Sequence, residues 1–374
     1  MSATTQGTAG AGTDSRDQPY RVEIADALDD ATALALWANA VPASVFNHPA
    51  WWRAAIAAYG AGRRLTVICI KQGTVLVGLW PMWRKRLAAR EGFARVIEPV
   101  GARLTDYCTP LLHRDHEVAN LVRLMIGAVV RRLDAQTVLL LPKIPVADPV
   151  ADAIARAATD QGLLMRVRDR SCPAMSLPPL YADLEKRWSS NHRSSVRRRV
   201  KRLNAEGQLS LVRARTRDDI NAVLPRLSAL HVAAWQSRTG YSDLAEGGMP
   251  RFLATLAESL PLDMIHATEL HLNGKAISCH FGFEHDMSLL WYKPAFDIGW
   301  SSHAPGKVHV ALLARHGIDE GLRKLDFMQG EEAYKQQWSD LTTATKSFAL
   351  AHPMAYPIWA WNTIVRKFAA EYRH

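Results

Sequence analysis

Hydrophobic and polar positions run through the same order twice in this chain. "TVICIKQGTVLVGLWPMW" (66–83) reads as two β-rich runs around a Gln72-Gly73 turn. "MIHATELHLNGKAISCHFGF" (264–283) repeats the pattern around Asn273-Gly274, the strongest short hairpin signal. The turn glycines Gly73 and Gly274 are 201 residues apart. A helical segment precedes each hairpin, at 49–59 and 250–260. Another strand, a loop and an amphipathic helix follow each, the helices at 117–132 and 307–321. Each helix leads into a short apolar strand, "TVLLL" (137–141) and "KLDFM" (324–328). The order helix–hairpin–strand–helix–strand predicts an α+β (α/β layered) fold, in which a mixed sheet carries packed helices. Its recurrence predicts a tandem duplication. The boundary is expected in "SCPAMSLPPL" (171–180), where three prolines interrupt regular structure. The chain divides accordingly into a polar leader (1–18), a first domain (19–176), a second domain (177–350) and a C-terminal amphipathic helix (351–374).

Composition narrows this picture without changing it. The chain has 374 residues, 48% of them hydrophobic and 22% charged, as soluble globular proteins do. No apolar run approaches the roughly 18 to 20 residues of a membrane span, and the leader lacks the apolar core of a secretory signal. An integral membrane segment is not expected, and a cytoplasmic location is. Cys69, Cys108, Cys172 and Cys279 lie far apart, without metal-ligand spacing, and read as buried reduced thiols. No metal is expected. Net charge is +10, and the segment Glu185–Glu206, with eight Lys/Arg and two Glu, carries +6 of it. Trp188, His192, Val196, Val200 and Leu203 form one helical face there, leaving the cations on the rest. Three readings stand for this basic helix (185–205): a solvated face, an electrostatic funnel for an anionic donor or acceptor, or a nucleic-acid or membrane reader. Aromatics are not interleaved with the cations and no recognition module is evident, so DNA is not expected as a partner.

Two stretches suggest chemistry. In "WYKPAFDIGWSSHAPGKVHVALL" (291–313) a β-run ends, a loop follows, and a helix opens at Pro305-Gly306-Lys307. Helix N-termini expose N–H groups and the positive end of the dipole. Ser301, Ser302, Pro305, Gly306, Lys307 and Val308 are therefore candidates to cradle a pyrophosphate, with a plain Pro-Gly helix start as the alternative. The spacing is neither a Walker loop nor a dinucleotide fingerprint. In "LDFMQGEEAYKQQW" (325–338), Glu331, Glu332 and Lys335 follow a strand end, either as reacting groups or as helix-capping residues. His280 and Tyr292 lie on neighbouring predicted strands, His280 as a reacting group or a satisfied core histidine, Tyr292 as a phenolic proton donor or a hydrogen-bonded aromatic at a strand end. His231 and Trp235 share a helical face, which packing explains as well as function does.

"FNHPAWW" (46–52), "GARLTDYCTPLL" (101–112), "WSSNHRSSVRRRVKRL" (188–203), "LHVAAWQSRTG" (230–240), the 291–313 stretch and "FMQGEEAYKQQW" (327–338), in this order, resemble a bacterial acyltransferase family. It is the GNAT group labelled CelD-like, after cellulose and exopolysaccharide biosynthesis, and is related to the FemAB peptidoglycan-bridge enzymes. The resemblance implies two tandem GNAT-like domains, each a mixed, mostly antiparallel sheet with helices on both faces, the first degenerate. It implies acetyl-CoA or another acyl-CoA as co-substrate at the Ser302–Lys307 cradle. Transfer would be direct, with Glu332 or Glu331 as base, His280 as second candidate base, Tyr292 as acid and Lys335 orienting an anionic group. The acceptor would be a small amine, an amino sugar or a glycan precursor. The loop departs from the usual Q/R-x-x-G-x-G/A cradle. An aminoacyl-tRNA donor, as in FemAB-like enzymes, is the first alternative. A non-catalytic accessory role in exopolysaccharide or cellulose production is the second.

Overall fold

A computed structural model of the chain describes residues 18–86, 95–245, 247–330 and 332–355, apart from the side chains of 237–239. The first half contains β1 (Tyr20–Ala25), α1 (Asp30–Trp37), α2 (Pro49–Tyr59), β2 (Arg64–Gln72), β3 (Val75–Arg86) and β4 (Arg95–Pro99). It continues with β5 (Leu111–Leu112), α3 (Val118–Val130), β6 (Thr137–Pro145), α4 (Pro149–Asp160) and β7 (Leu164–Ser176). The second half opens with α5 (Tyr181–Arg187), α6 (Ser190–Glu206), β8 (Leu209–Arg213), α7 (Arg217–Thr239) and α8 (Gly248–Ser259). There follow β9 (Ile265–Leu272), β10 (Lys275–His285), β11 (Ser288–Phe296), α9 (Pro305–Asp319), β12 (Lys324–Asp326), α10 (Ala333–Trp338) and β13 (Leu341–Ala351).

Local chemistry explains the boundaries. The α2 helix starts on Pro49, with the His48 ring accepting the Ala50 N–H. A Thr216/Asp219 capping box opens α7, and Gly240 in the left-handed conformation closes it. Asn273 and Gly274 both have positive φ, 52° and 78°, the two-residue turn that matches strand twist. Along α6, His192, Val196 and Leu203 are buried as the spacing predicts, while Arg198, Lys201 and Arg202 face solvent.

All the described strands join one mixed sheet of order β1-β2-β3-β4-β6-β13-β7-β12-β11-β10-β9-β8, with β5 against β3. The repeat is visible in it: β2-β3-β4-α3-β6 and β9-β10-β11-α9-β12 follow the same path, each with one parallel pair, β4/β6 and β11/β12. The halves are not side by side, however. The last strand, β13, inserts between β6 and β7 of the first half, and β7 pairs with β12 of the second. A cut at residue 176 separates these partners. Nor does the chain turn helical at 351, since Ala351 closes β13; residues 356–374 of the expected helix, like 1–17 of the expected leader, lie outside the described residues.

Helices cover both faces, as the family resemblance implies. On one face α2 and α8 pack together, so Trp51, Phe252, Phe281 and Phe283 share a core drawn from both halves. Trp51 meets Phe252 edge-to-face at 5.0 Å. On the other, α3 and α4 cover the first half, and α9 with α5 and α6 the second. No described helix is long and apolar enough to cross a membrane.

Candidate functional site

The parallel pair β11/β12 lasts only from Ser288–Leu290 against Lys324–Asp326. β11 then continues to Phe296 along β10, while β12 stops. Among the described residues, 291–296 are left with no partner strand on that side. The chain is turned away by Met328 and Gly330, at φ 56° and 145°. The buried Asp326 carboxylate fixes the point of parting. It accepts the Tyr107 phenol (3.0 Å to each oxygen) and the Met328 N–H (2.8 Å), with Lys324 Nζ at 3.3 Å. Burial raises its carboxyl, against the lowering effect of these partners.

Tyr107 belongs to a first-half loop, 100–110, that is fastened to both walls of the opening. On the β11 side the Tyr292 phenol donates to the Leu104 carbonyl at 2.6 Å. Buried Lys143 holds the loop from below, Nζ donating to the Thr105 carbonyl (2.6 Å) beside Asp106 (3.3 Å). The loop also follows β4 of the first half, where the repeat would place that half's own opening. Cys108 and Cys172 are buried here, their thiols pushed up to about 12, and burial raises Cys279 as well. Such thiols are inert as nucleophiles.

At the far end of β11 a 3₁₀ turn (Ile298–His303) leads to Ala304, in the left-handed conformation, and then to α9. The α9 N-terminus has no side-chain cap. Lys307 and Val308 direct their N–H groups to the Ala304 carbonyl, and the Gly306 N–H makes no hydrogen bond among the described residues. Lys307 Nζ lies 3.4 Å from Gln337 Oε1, which ties this end of α9 to α10. Burial and the nearby Arg199 lower its pKa. Arg199, on α6, donates to the Ser302 carbonyl (3.4 Å), so the basic helix runs directly beside this corner. Ser301 and Ser302 are exposed, whereas Pro305 and Val308 are buried and present backbone only.

The structure brings Glu332 and Lys335 together. Lys335 is buried, its Nζ donating to the Gln329 carbonyl (2.9 Å) and pairing with Glu332 Oε2 (3.1 Å). Glu332 is half exposed at the start of α10. A Cβ at Gly330 would meet the ends of both charged side chains, and the φ of 145° there favours glycine. Glu331 lies outside the described residues. Tyr292 and His280 are not brought together. Tyr292 packs with Phe283 and Trp51 on the α2/α8 face; burial, with Asp106 and Asp243 nearby, raises its phenol well above 10. His280 is on the α9 face, wholly buried and stacked on Trp291 at 4.2 Å. Burial and the neighbouring His309 and His266 hold it far below the usual imidazole range. His231 and Trp235 do stack (5.6 Å), with the His231 ring also 2.9 Å from Ser242 Oγ.

Sequence reading missed Asp326, Tyr107 and Lys143. Asp326 in "KLDFM" and Lys143 in "TVLLLPKIP" carry a signal, a charge set among the apolar residues of a strand, which burial makes costly unless paired. A cavity of about 540 Å³ between α3 and the β1–β4 end of the sheet touches none of these residues.

Residues 190–336 match a family described as an acetyltransferase (GNAT) domain. That span runs from α6 through α10 and contains the opening, the α9 N-terminus and the Glu332/Lys335 pair. The chain thus carries a GNAT acetyltransferase-like domain. Among solved structures the fold is similar to that of FemX (TM-score 0.60, 10% identity, covering 87% of this chain and 96% of that one). It is also similar to the C-terminal domain of a putative lysylphosphatidylglycerol synthetase from Agrobacterium fabrum (0.58, 11%, 91% and 96%). A conserved protein of unknown function from Bacteroides thetaiotaomicron is a third (0.55, 12%, 89% and 100%). These likenesses concern the fold. A search of curated proteins finds no match to this chain.

Proposed function

We propose that this protein transfers an acyl group directly from acyl-CoA to an amine or hydroxyl of a small molecule, amino sugar or cell-envelope glycan precursor. The observation that carries the reading is the parting of β11 and β12 in front of an uncapped, cation-flanked helix N-terminus. The Gly306 N–H, Lys307 and Arg199 supply a donor and two positive charges for the CoA phosphates. The open edge of β11 offers backbone groups to the amide-bearing arm of the donor, as a sheet edge does to an added strand. Glu332 takes the proton of the attacking group, its position set by Lys335 and Gly330. Tyr292, with its phenol raised and its O–H given to the Leu104 carbonyl, fastens the far wall rather than acting as a ready acid.

A second donor remains in view because Arg198, Lys201 and Arg202 face solvent beside the same corner. An aminoacyl-tRNA would meet them, and its binding would weaken steeply with salt.

The test is thermal unfolding of the purified protein with acetyl-CoA, longer acyl-CoAs and free CoA, beside Lys307→Ala. At a hundred times its Kd a ligand stabilises by about 2.7 kcal/mol. A shift that weakens in Lys307→Ala supports the CoA reading. No shift with any acyl-CoA, but salt-sensitive tRNA binding, transfers the proposal to tRNA. Binding of neither sinks the catalytic reading and leaves an accessory role.

A further inference from the structure

The opposite end of α9 carries a cluster that the transfer reaction leaves unused. His316 and Glu320 stand one helical turn apart there, and His266 rises from β9 beneath them. We propose that His266, His316 and Glu320 form a binding site for a divalent transition metal, zinc foremost.

One ligand atom from each residue can be chosen so that all lie within 4.8 Å of one another. His316 Nε2 is 3.2 Å from Glu320 Oε2, and His266 Nε2 is 4.0 Å from the same oxygen. Neighbouring ligand atoms of a tetrahedral zinc with bonds near 2.0–2.1 Å stand about 3.3 Å apart. One pair is already at that separation, and the others close by side-chain adjustment of about an ångström. His266 is wholly buried, yet neither of its ring nitrogens has a hydrogen-bond partner, and His316 Nε2 has none either. Buried polar groups left so are uncommon and costly. Metal ligation removes that cost for one nitrogen of each ring.

Two arginines surround the carboxylate. Arg213 bridges Glu320 Oε2 and Glu284, and Arg215 holds Oε1 at 3.2 Å. Hydrogen bonds of this kind orient ligating carboxylates in metal sites. Their positive charge opposes a cation, which makes this a weaker binder than a closed structural zinc site. His316 and Glu320 are each about one-quarter exposed, so a water can complete the coordination. Two imidazoles and a carboxylate suit zinc, cobalt or nickel rather than calcium or magnesium. His316 is ten residues along α9 from Gly306, about 15 Å at 1.5 Å per residue. The metal therefore fastens α9 to β9 and takes no part at the reacting atoms. The matching corner of the first half, under the end of α3, is the 540 Å³ cavity, rimmed by Arg64, Arg84 and Arg132 and lined by no histidine.

Tag-free full-length protein would be titrated with Co²⁺, reading the visible bands of tetrahedral cobalt, and the cobalt displaced with Zn²⁺. His316→Ala, Glu320→Gln and the control His352→Ala would be treated alike, with circular dichroism to confirm folding. One equivalent of cobalt is expected in the wild type and in His352→Ala. Affinity should fall at least tenfold in His316→Ala, and chelator should lower the Tm of the zinc-loaded wild type but not of that variant. Absence of stoichiometric binding, or equal binding by wild type and a folded His316→Ala, overturns the proposal.

Discussion

Acid should begin to destabilise this protein before most of its carboxylates titrate, and His309 allows the size of the effect to be worked out. The ring is wholly buried between α9 and the sheet, with Nε2 2.9 Å from Thr268 Oγ1 and Nδ1 2.9 Å from Ser278 Oγ. Burial lowers its pKa from 6.5 to about 3. Between those values the unfolded chain binds a proton that the native state refuses. The stabilising contribution is therefore complete above 6.5 and is lost as pH falls. Each pH unit below 6.5 costs about 1.4 kcal/mol, so a drop from pH 7 to 5 removes about 2 kcal/mol through this one residue. His266 and His280 are shifted in the same direction and add to the loss. Asp326, raised by burial, offsets part of it. The assay is urea unfolding at several pH values for wild type and His309→Phe. The variant should be less stable at pH 7, by about 1–3 kcal/mol, because the buried Thr268 and Ser278 hydroxyls each lose a hydrogen-bond partner. It should then lose about 2 kcal/mol less than wild type between pH 7 and 5. Parallel curves for the two proteins would refute the reasoning, since they would mean that His309 titrates alike in both states.

Gly330→Ala should leave the sheet intact but cut acyl transfer at least tenfold, because φ of 145° and the missing space both displace Glu332 and Lys335; steady-state rates beside circular dichroism check this. Tyr107→Phe should cost about 1–3 kcal/mol in urea unfolding, since the buried Asp326 carboxylate loses its phenol donor. A disulfide-exchange reagent should find Cys108, Cys172 and Cys279 silent in the native protein, leaving half-buried Cys69 as the one thiol that reacts before unfolding.

Much of the fold is readable in the sequence because it is local. Asn273-Gly274 makes its hairpin through backbone angles that only such residues adopt readily. Pro49 and Pro305 start their helices for an equally local reason. Glu332 and Lys335 are marked as candidates by residue type after a strand end, but their pairing is not, because Glu332 stands outside α10 as its N-cap. What stayed hidden depends on distance along the chain. Tyr107 and Asp326 meet across 219 residues, and nothing in either segment announces the other. His266 and His316 are likewise brought together by β9 and α9 packing, without ligand spacing in the sequence. Period-2 alternation marks Tyr292 and His280 as strand residues. It does not say which face each takes once a bulge interrupts the β10 register between Phe281 and Phe283.

The crossing of β7 and β13 bears on how the molecule is made. During synthesis β6 and β7 emerge long before Leu341–Ala351, the strand that fills the gap between them. Until then the apolar edge of "TVLLLPKIP" has no partner on that side, and an unpaired edge invites association with other chains. The first half cannot finish folding while the second is still being translated. The first half therefore holds an open edge until β13 has emerged, and a ribosome-bound chain at that stage is a natural client for chaperones that shield exposed strands.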